Sequence, residues 1–125
     1  MEYVRKIDFD KLNQGIGGNR PIQWLLDRDS GAEKCSVVCI KTPPGGGSAS
    51  GLHTHPFEQV FYILSGTMEL EIAGGQYRAE TGSVVVLPQG VPHRNWNAGS
   101  EPSMHLSFMA PLVPPGTAMA TPVTK

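Results

Sequence analysis

The sequence has 125 residues, a length that suits one domain with its own hydrophobic core. It carries 10 Lys and Arg against 11 Asp and Glu, a net charge of -1, and so lacks the basic excess that nucleic acids or anionic membranes require. The 15 glycines and 11 prolines predict many turns and few long helices, which favours an all-β fold.

We predict that residues 1–33 form an N-terminal arm. A core barrel is predicted to follow over about 34–110, and its first strand also lies in the first third of the chain. The arm holds a turn at 15–19, a strand at 20–27 (RPIQWLLD) and a turn cluster to residue 33. The next strand is KCSVVCIKT, residues 34–42. Its Cys35 and Cys39 would be about 13 Å apart on one strand, too far for a disulfide, so we expect free thiols.

The remainder alternates between short strands and turns. A glycine-rich connector at 43–52 precedes strands at 57–65, 67–73, 76–81, 84–87, 91–97 and 103–109. Residues 111–125 are too rich in proline to be a strand, and we expect them to form a tail that drapes over the barrel or is disordered. Residues 1–125 are therefore predicted to be a single sandwich or barrel domain.

Two of the four histidines form a His-x-His pair, His53 and His55. Side chains two residues apart on a strand point to the same face, so the two imidazoles can converge on one ion. The same odd-numbered face carries Gln59 and the apolar Phe61. A third histidine, His93, follows a short β-branched strand and a Pro-x-Gly turn.

These two stretches resemble the paired motifs of the cupin superfamily. The first family motif joins a glycine, a His-x-His pair, a glutamate and a closing glycine, and here Gln59 stands where the family usually has that glutamate. The second joins a glycine, a Pro-x-Gly turn, a histidine and an asparagine. The matching positions are Gly47, His53, His55 and Gly66 in the first motif and Gly82, Pro88, Gly90, His93 and Asn97 in the second. The resemblance implies a double-stranded β-helix, the jelly-roll barrel of RmlC-like cupins.

The predicted site is one divalent metal ion (Fe, Mn, Ni or Zn) held by His53, His55, Gln59 and His93. Neutral imidazole is a common ligand of first-row metals, and three of them leave a position open for substrate. A neutral amide in place of a carboxylate leaves the ion its full formal charge, which favours Lewis-acid chemistry and anionic substrates. In the alternative shell a β-bulge replaces Gln59 by Glu58. In the purely structural alternative, the protein binds no metal and the three histidines are polar residues of the core.

Three further residues are candidates for roles around the metal. Phe61 shares the face of the His-x-His pair. His105 is either a packed histidine or an acid–base group beside the metal. Arg94 lies on the solvated rim by default, and otherwise pairs with an anionic substrate or with a carboxylate across a dimer.

Three classes of function are consistent with these residues. The first is a metal-dependent enzyme on a small polar or anionic molecule, of dioxygenase, isomerase or lyase type. The second is a non-catalytic small-molecule sensor, and the third is a metal-free structural homodimer. The apolar residues Ile22, Trp24, Leu25 and Leu26 predict a homodimer surface. With neither an apolar leader nor a long apolar run, we expect a cytoplasmic protein without membrane or nucleic-acid partners.

Overall fold

The structure, a computed structural model, describes residues 1–14, 20–48 and 51–123. One short helix, α1 (Phe9–Asn13), precedes the strands. The strands are β1 (Ile22–Leu26), β2 (Ser36–Thr42), β3 (His53–Thr54), β4 (Glu58–Ser65), β5 (Met68–Ile72), β6 (Gly75–Ala79), β7 (Val84–Leu87), β8 (His93–Trp96), β9 (Ser103–Ala110) and β10 (Thr121–Pro122). The predicted strands are confirmed, and the predicted turn at 15–19 lies outside the described residues. No helix in the described ranges is long and apolar enough to cross a bilayer.

The strands form two five-stranded antiparallel sheets. The first has the order β1-β2-β9-β4-β7 and the second the order β10-β3-β8-β5-β6. Alternation along each strand sends one set of side chains into the space between the sheets. There Phe61 and Ile63 of the first sheet pack with Met68 and Leu70 of the second. The predicted double-stranded β-helix, or jelly roll, is therefore confirmed.

The motif glycines sit where strands approach closely. Gly47 bridges to Trp96, and a Cβ at this position would lie only 2.8 Å from the Trp96 Cα. Gly66 ends β4 with φ at 76°, a left-handed conformation that glycine adopts without strain. Gly47 thus permits the close approach of the two histidine stretches, and Gly66 permits the turn that follows β4 beside Ser103.

The N-terminal arm covers part of the outer face of the first sheet. The Asp8 carboxylate caps α1 by accepting a hydrogen bond from the Lys11 amide at 3.1 Å. Leu12 then packs on Cys39 and Met104, and all three are buried. Burial also raises the pKa of the Cys39 thiol to about 11, partly offset by a backbone hydrogen bond with Ile40. Cys35 and Cys39 are both free, as predicted.

The C-terminal tail differs from its prediction. It includes a two-residue strand, β10, in which Thr121 pairs with Thr54 and Pro122 pairs with His53. The Val123 amide extends this pairing with a 2.9 Å hydrogen bond to the Leu52 carbonyl. Proline is tolerated here because β10 is the edge strand of its sheet, where a missing amide donor need not break a ladder.

Candidate metal centre

The three predicted histidine ligands lie side by side on the second sheet. His53 and His93 begin β3 and β8 and are direct antiparallel partners. His55 comes one residue after β3. One ring nitrogen from each histidine lies within 4.8 Å of the others, and the Nε2 atoms of His53 and His55 are 3.1 Å apart. The fold therefore brings together three imidazoles that are distant in sequence.

Backbone carbonyls fix the orientation of all three rings. The Nδ1 atom of His53 lies 2.5 Å from the Gly51 oxygen, and that of His93 lies 3.1 Å from the Val91 oxygen. The Nδ1 atom of His55 lies 2.6 Å from the Met119 oxygen in the tail. A carbonyl only accepts, so each Nδ1 carries the proton and each Nε2 presents a lone pair. This is the tautomer that metal ligation through Nε2 requires.

Burial favours the neutral form of two of these rings, those of His55 and His93. The pKa of His93 falls to about 4, chiefly because burial disfavours the imidazolium, with a further lowering from His53 and His55 and an opposing backbone bond to Val91. The pKa of His55 is also lowered, first by burial and then by His53, against the hydrogen bond to Met119. Neutral imidazole is the form that binds a metal ion.

Gln59 of β4 faces the histidines from the first sheet. Its side-chain Nε2 donates a 2.8 Å hydrogen bond to the Ser107 hydroxyl. That bond turns the amide so that Oε1, a buried oxygen, has no hydrogen-bond partner in the described structure. The Nε2 atom of His93 is likewise buried without a partner. An unpaired buried polar group costs about 1–3 kcal/mol, so the residues present fit a cation that would contact both atoms.

The histidines and Gln59 open onto a cavity of about 230 Å³ between the sheets. Phe61 and His105 both line it, with their rings 4.6 Å apart. His105 is 1% exposed, and neither of its ring nitrogens has a hydrogen-bond partner among the described residues. Burial, followed by the charge of Arg20, lowers the pKa of His105 to about 3. The position of His105, which strand parity left open, is thus inside the cavity.

The structure does not bring Glu58 and Arg94 into this cavity. β4 pairs regularly from Glu58 to Ile63, so strand alternation points Glu58 to the exposed outer side, opposite Gln59. The bulge that would insert Glu58 lies elsewhere, between Ile63 and Ser65. Arg94 pairs with Glu71 at 3.0 Å and lies over the ring of Trp96 at 5.0 Å. Its carboxylate partner is therefore within its own chain.

Sequence reasoning missed two parts of the site. The Met119 carbonyl is a backbone atom of a proline-rich tail, and no side-chain pattern marks it. Arg20, which precedes β1, lines the same cavity as the histidines. The sequence feature that could have indicated this role of Arg20 is a basic residue at the start of an apolar strand.

A two-sheeted jelly roll with three convergent imidazoles defines a class of small β-barrels built around a candidate metal centre. The profile of the cupin domain matches residues 39–109, more than half of the sequence. The chain belongs to the cupin family. A comparison with curated proteins gives no match.

Solved structures show the same fold. The polyketide cyclase RemF from Streptomyces resistomycificus superposes with a TM-score of 0.71 at 22% identity, covering 86% of this chain and 72% of that one. An uncharacterized double-stranded β-helix protein from Klebsiella pneumoniae gives 0.73 at 22% identity, covering 98% and 99%. An RmlC-like cupin from Shewanella frigidimarina gives 0.64 at 21% identity, covering 78% and 80%. At these sequence identities, the similarity shows a shared fold alone.

Proposed function

We propose that the chain binds one divalent metal ion through His53, His55 and His93, with the Gln59 Oε1 as a fourth ligand. The observation that carries this proposal is the set of three backbone carbonyls that hold the Nδ1 protons. Three side chains whose remaining nitrogens are fixed toward one point form a ligand set that is organised before the ion arrives. Imidazole suits Fe, Ni and Zn, and a neutral oxygen donor also suits Mn.

We further propose that the protein is a metal-dependent enzyme for a small polar or anionic molecule. A shell of three imidazoles and one amide carries no negative charge, so a bound ion would supply strong Lewis-acid polarisation of a substrate oxygen. This favours isomerase or lyase chemistry beside a carbonyl over a dioxygenase reaction. The chain itself supplies the cavity of about 230 Å³, in which Phe61 and Ile40 form part of an apolar lining and His105 remains neutral.

Metal content tests the first part of this proposal. Protein purified without chelator should carry close to one divalent ion per chain, and the His53→Ala/His55→Ala double variant should carry none. His105→Gln is the matched control, because it removes a cavity histidine outside the proposed ligand set and should keep the ion. Absence of metal after reconstitution with iron, nickel, manganese and zinc would exclude the site.

A ligand screen on the loaded protein then tests the enzymatic part. A compound that binds and is turned over only by the metal-loaded form supports the enzyme. Binding without turnover would instead indicate a small-molecule sensor that uses the same cavity.

We also propose a homodimer. Of the four residues predicted to form its surface, Ile22 and Trp24 are exposed, whereas Leu25 packs against the cluster around Leu12 under the N-terminal arm. The outer face of the first sheet, opposite to the face that carries Ile22 and Trp24, exposes other apolar side chains, namely Tyr62, Val84, Val86 and Phe108. A second copy covering this face would remove them from water. Cytoplasmic location stays a prediction of the sequence.

A further inference from the structure

Arg20 places a positive charge in the cavity without a carboxylate to match it. The Arg20 side chain lines the same cavity of about 230 Å³ as the three histidines, and none of the described residues that line it is acidic. In the described ranges the ion pairs are Arg78 with Glu69 and Arg94 with Glu71. The Arg20 Nε donates to the Thr42 hydroxyl at 3.3 Å, which leaves the two Nη groups for another partner.

The charge of Arg20 acts inside the barrel. Burial lowers the pKa of Arg20, because taking a guanidinium out of water disfavours its charged form. The same charge contributes to the lowered pKa of His105. A partly buried cation without an anionic partner is costly, and an anion bound beside it would offset that cost.

Two further side chains that line the cavity, Asn95 and His105, carry donors that have no acceptor among the residues that the structure describes. The Asn95 Oδ1 accepts a 2.6 Å hydrogen bond from Ser48, whereas the buried Asn95 Nδ2 has no partner. His105 is neutral and nine-tenths buried, so one of its two unpartnered nitrogens carries an N–H. Donors without a protein acceptor are complementary to a ligand rich in acceptor oxygens, whereas the unpaired acceptors of the same cavity, Gln59 Oε1 and His93 Nε2, are assigned to the proposed metal ion.

We propose that this cavity is an oxyanion subsite, in which the Arg20 Nη groups bind the carboxylate or phosphate group of a small organic acid. The remainder of the ligand extends toward His53, His55 and His93, where an oxygen completes the metal shell. That second contact rests on the proposed metal-dependent function, whereas the oxyanion contact does not. The cavity is smaller than the roughly 300–1,000 Å³ of drug-sized ligand sites, so the acid has only a few carbon atoms.

The test uses metal-free full-length protein, so that an anion cannot bind through the ion. Succinate, its neutral analogue succinamide and inorganic phosphate are titrated while the Arg20 Nε–H and His105 ring signals are followed by NMR. Succinate should shift both signals, and succinamide should bind at least tenfold more weakly. Arg20→Gln should weaken succinate binding roughly tenfold to hundredfold, the loss expected for a charge-assisted contact. Arg20→Lys should recover part of the affinity.

Arg78→Gln is the matched control, because it removes the same charge from an exposed residue of β6 and should leave succinate binding unchanged. Equal binding of succinate and succinamide by the wild-type protein would overturn the proposal without any variant. Equal affinity of Arg20→Gln and Arg78→Gln for succinate would also overturn the proposal. If phosphate binds more tightly than succinate and depends on Arg20, the recognised group is a phosphate.

These experiments distinguish failure of the oxyanion subsite from failure of the proposed metal site. Arg20-dependent succinate binding in a protein that never takes up metal would support the subsite and reject the proposed function. Metal uptake together with succinate binding that is unchanged in Arg20→Gln would support the metal site and reject the oxyanion subsite.

Discussion

Gln59 determines the charge of the proposed metal shell. Its amide is oriented by Ser107, which accepts from Nε2 at 2.8 Å and so commits Oε1 to the cavity. A carboxylate at this position would bind an ion more tightly but would reduce its Lewis acidity. In the proposed shell, the amide would bind the ion less tightly than a carboxylate and would leave it a stronger Lewis acid.

Gln59→Glu should raise metal affinity, because it adds a negative charge to a partly buried shell. It should lower any activity that depends on polarising a substrate oxygen. Gln59→Ala should weaken binding only modestly, since three imidazoles remain. Competition with a chelator measures all variants, and Glu58→Gln, on the exposed face of the same strand, is the control with no expected effect. A large loss in Glu58→Gln with no change in Gln59→Glu would reject the ligand set.

His105 should make the stability of the metal-free protein depend on pH. Its pKa is lowered from 6.5 to about 3 in the folded state, so below pH 6.5 the unfolded chain binds a proton that the folded chain does not. Stability is then complete above pH 6.5 and falls as the pH drops toward 3. One such group changes the unfolding free energy by at most about 1.4 kcal/mol per pH unit.

Denaturant unfolding of wild type and His105→Gln between pH 4 and 8 checks this expectation. The variant should show a shallower pH dependence, with the residual slope arising from His55 and His93, whose pKa values are also lowered. Parallel pH profiles for the two proteins would show that His105 titrates normally.

At the level of elements, strand periodicity predicted most of the barrel. The alternation of β5, with Met68 and Leu70 on one face, follows directly from burial between sheets. The helix α1 was not predicted, because five residues carry too little periodicity and its stability depends on tertiary packing of Leu12. The strand β10 was missed because two residues that include a proline have no strand pattern, and only the partner β3 defines them.

The site could be predicted to the extent that it consists of side chains at motif spacing. His53, His55 and His93 converge, as the motif spacing predicts. The prediction that Gln59 and Phe61 share a strand face with the His-x-His pair is wrong, because a break after β3 puts them on β4 of the opposite sheet, from which they line the same cavity. Backbone carbonyls such as that of Met119 cannot be found this way, since every residue has one. Arg20 was missed because its position in the cavity depends on how the N-terminal arm packs against the barrel, which no local pattern encodes.

The tail should contribute to metal affinity through its backbone. Removal of residues 119–125 deletes the Met119 carbonyl that orients His55, together with β10. Loss of such an orienting contact weakens metal binding roughly tenfold or more. Met119→Ala is the matched control, because it keeps the carbonyl and should retain wild-type affinity. Calorimetric titration with zinc compares the three proteins, and equal affinities would remove the tail from the site.

For the whole molecule, the exposed outer face of the first sheet predicts assembly. Light scattering at micromolar concentration should give the mass of a dimer. Val84→Glu, at a residue 65% exposed on this face, should produce monomers because it buries a charge at the interface. Tyr77→Glu, at an exposed residue of the second sheet, should leave the dimer intact. A monomeric wild-type protein would contradict the proposed interface.

The most direct measurement of the central claim is a crystal structure of the metal-loaded protein with anomalous scattering from the ion. We expect one peak between the two sheets, about 2.0–2.1 Å from the Nε2 atoms of His53, His55 and His93 if the ion is zinc. The Gln59 Oε1 should point to the same peak, and the three Nδ1 atoms should keep their carbonyl partners. A loaded crystal with no peak at these histidines, or with the ion bound to Glu58, would contradict the account.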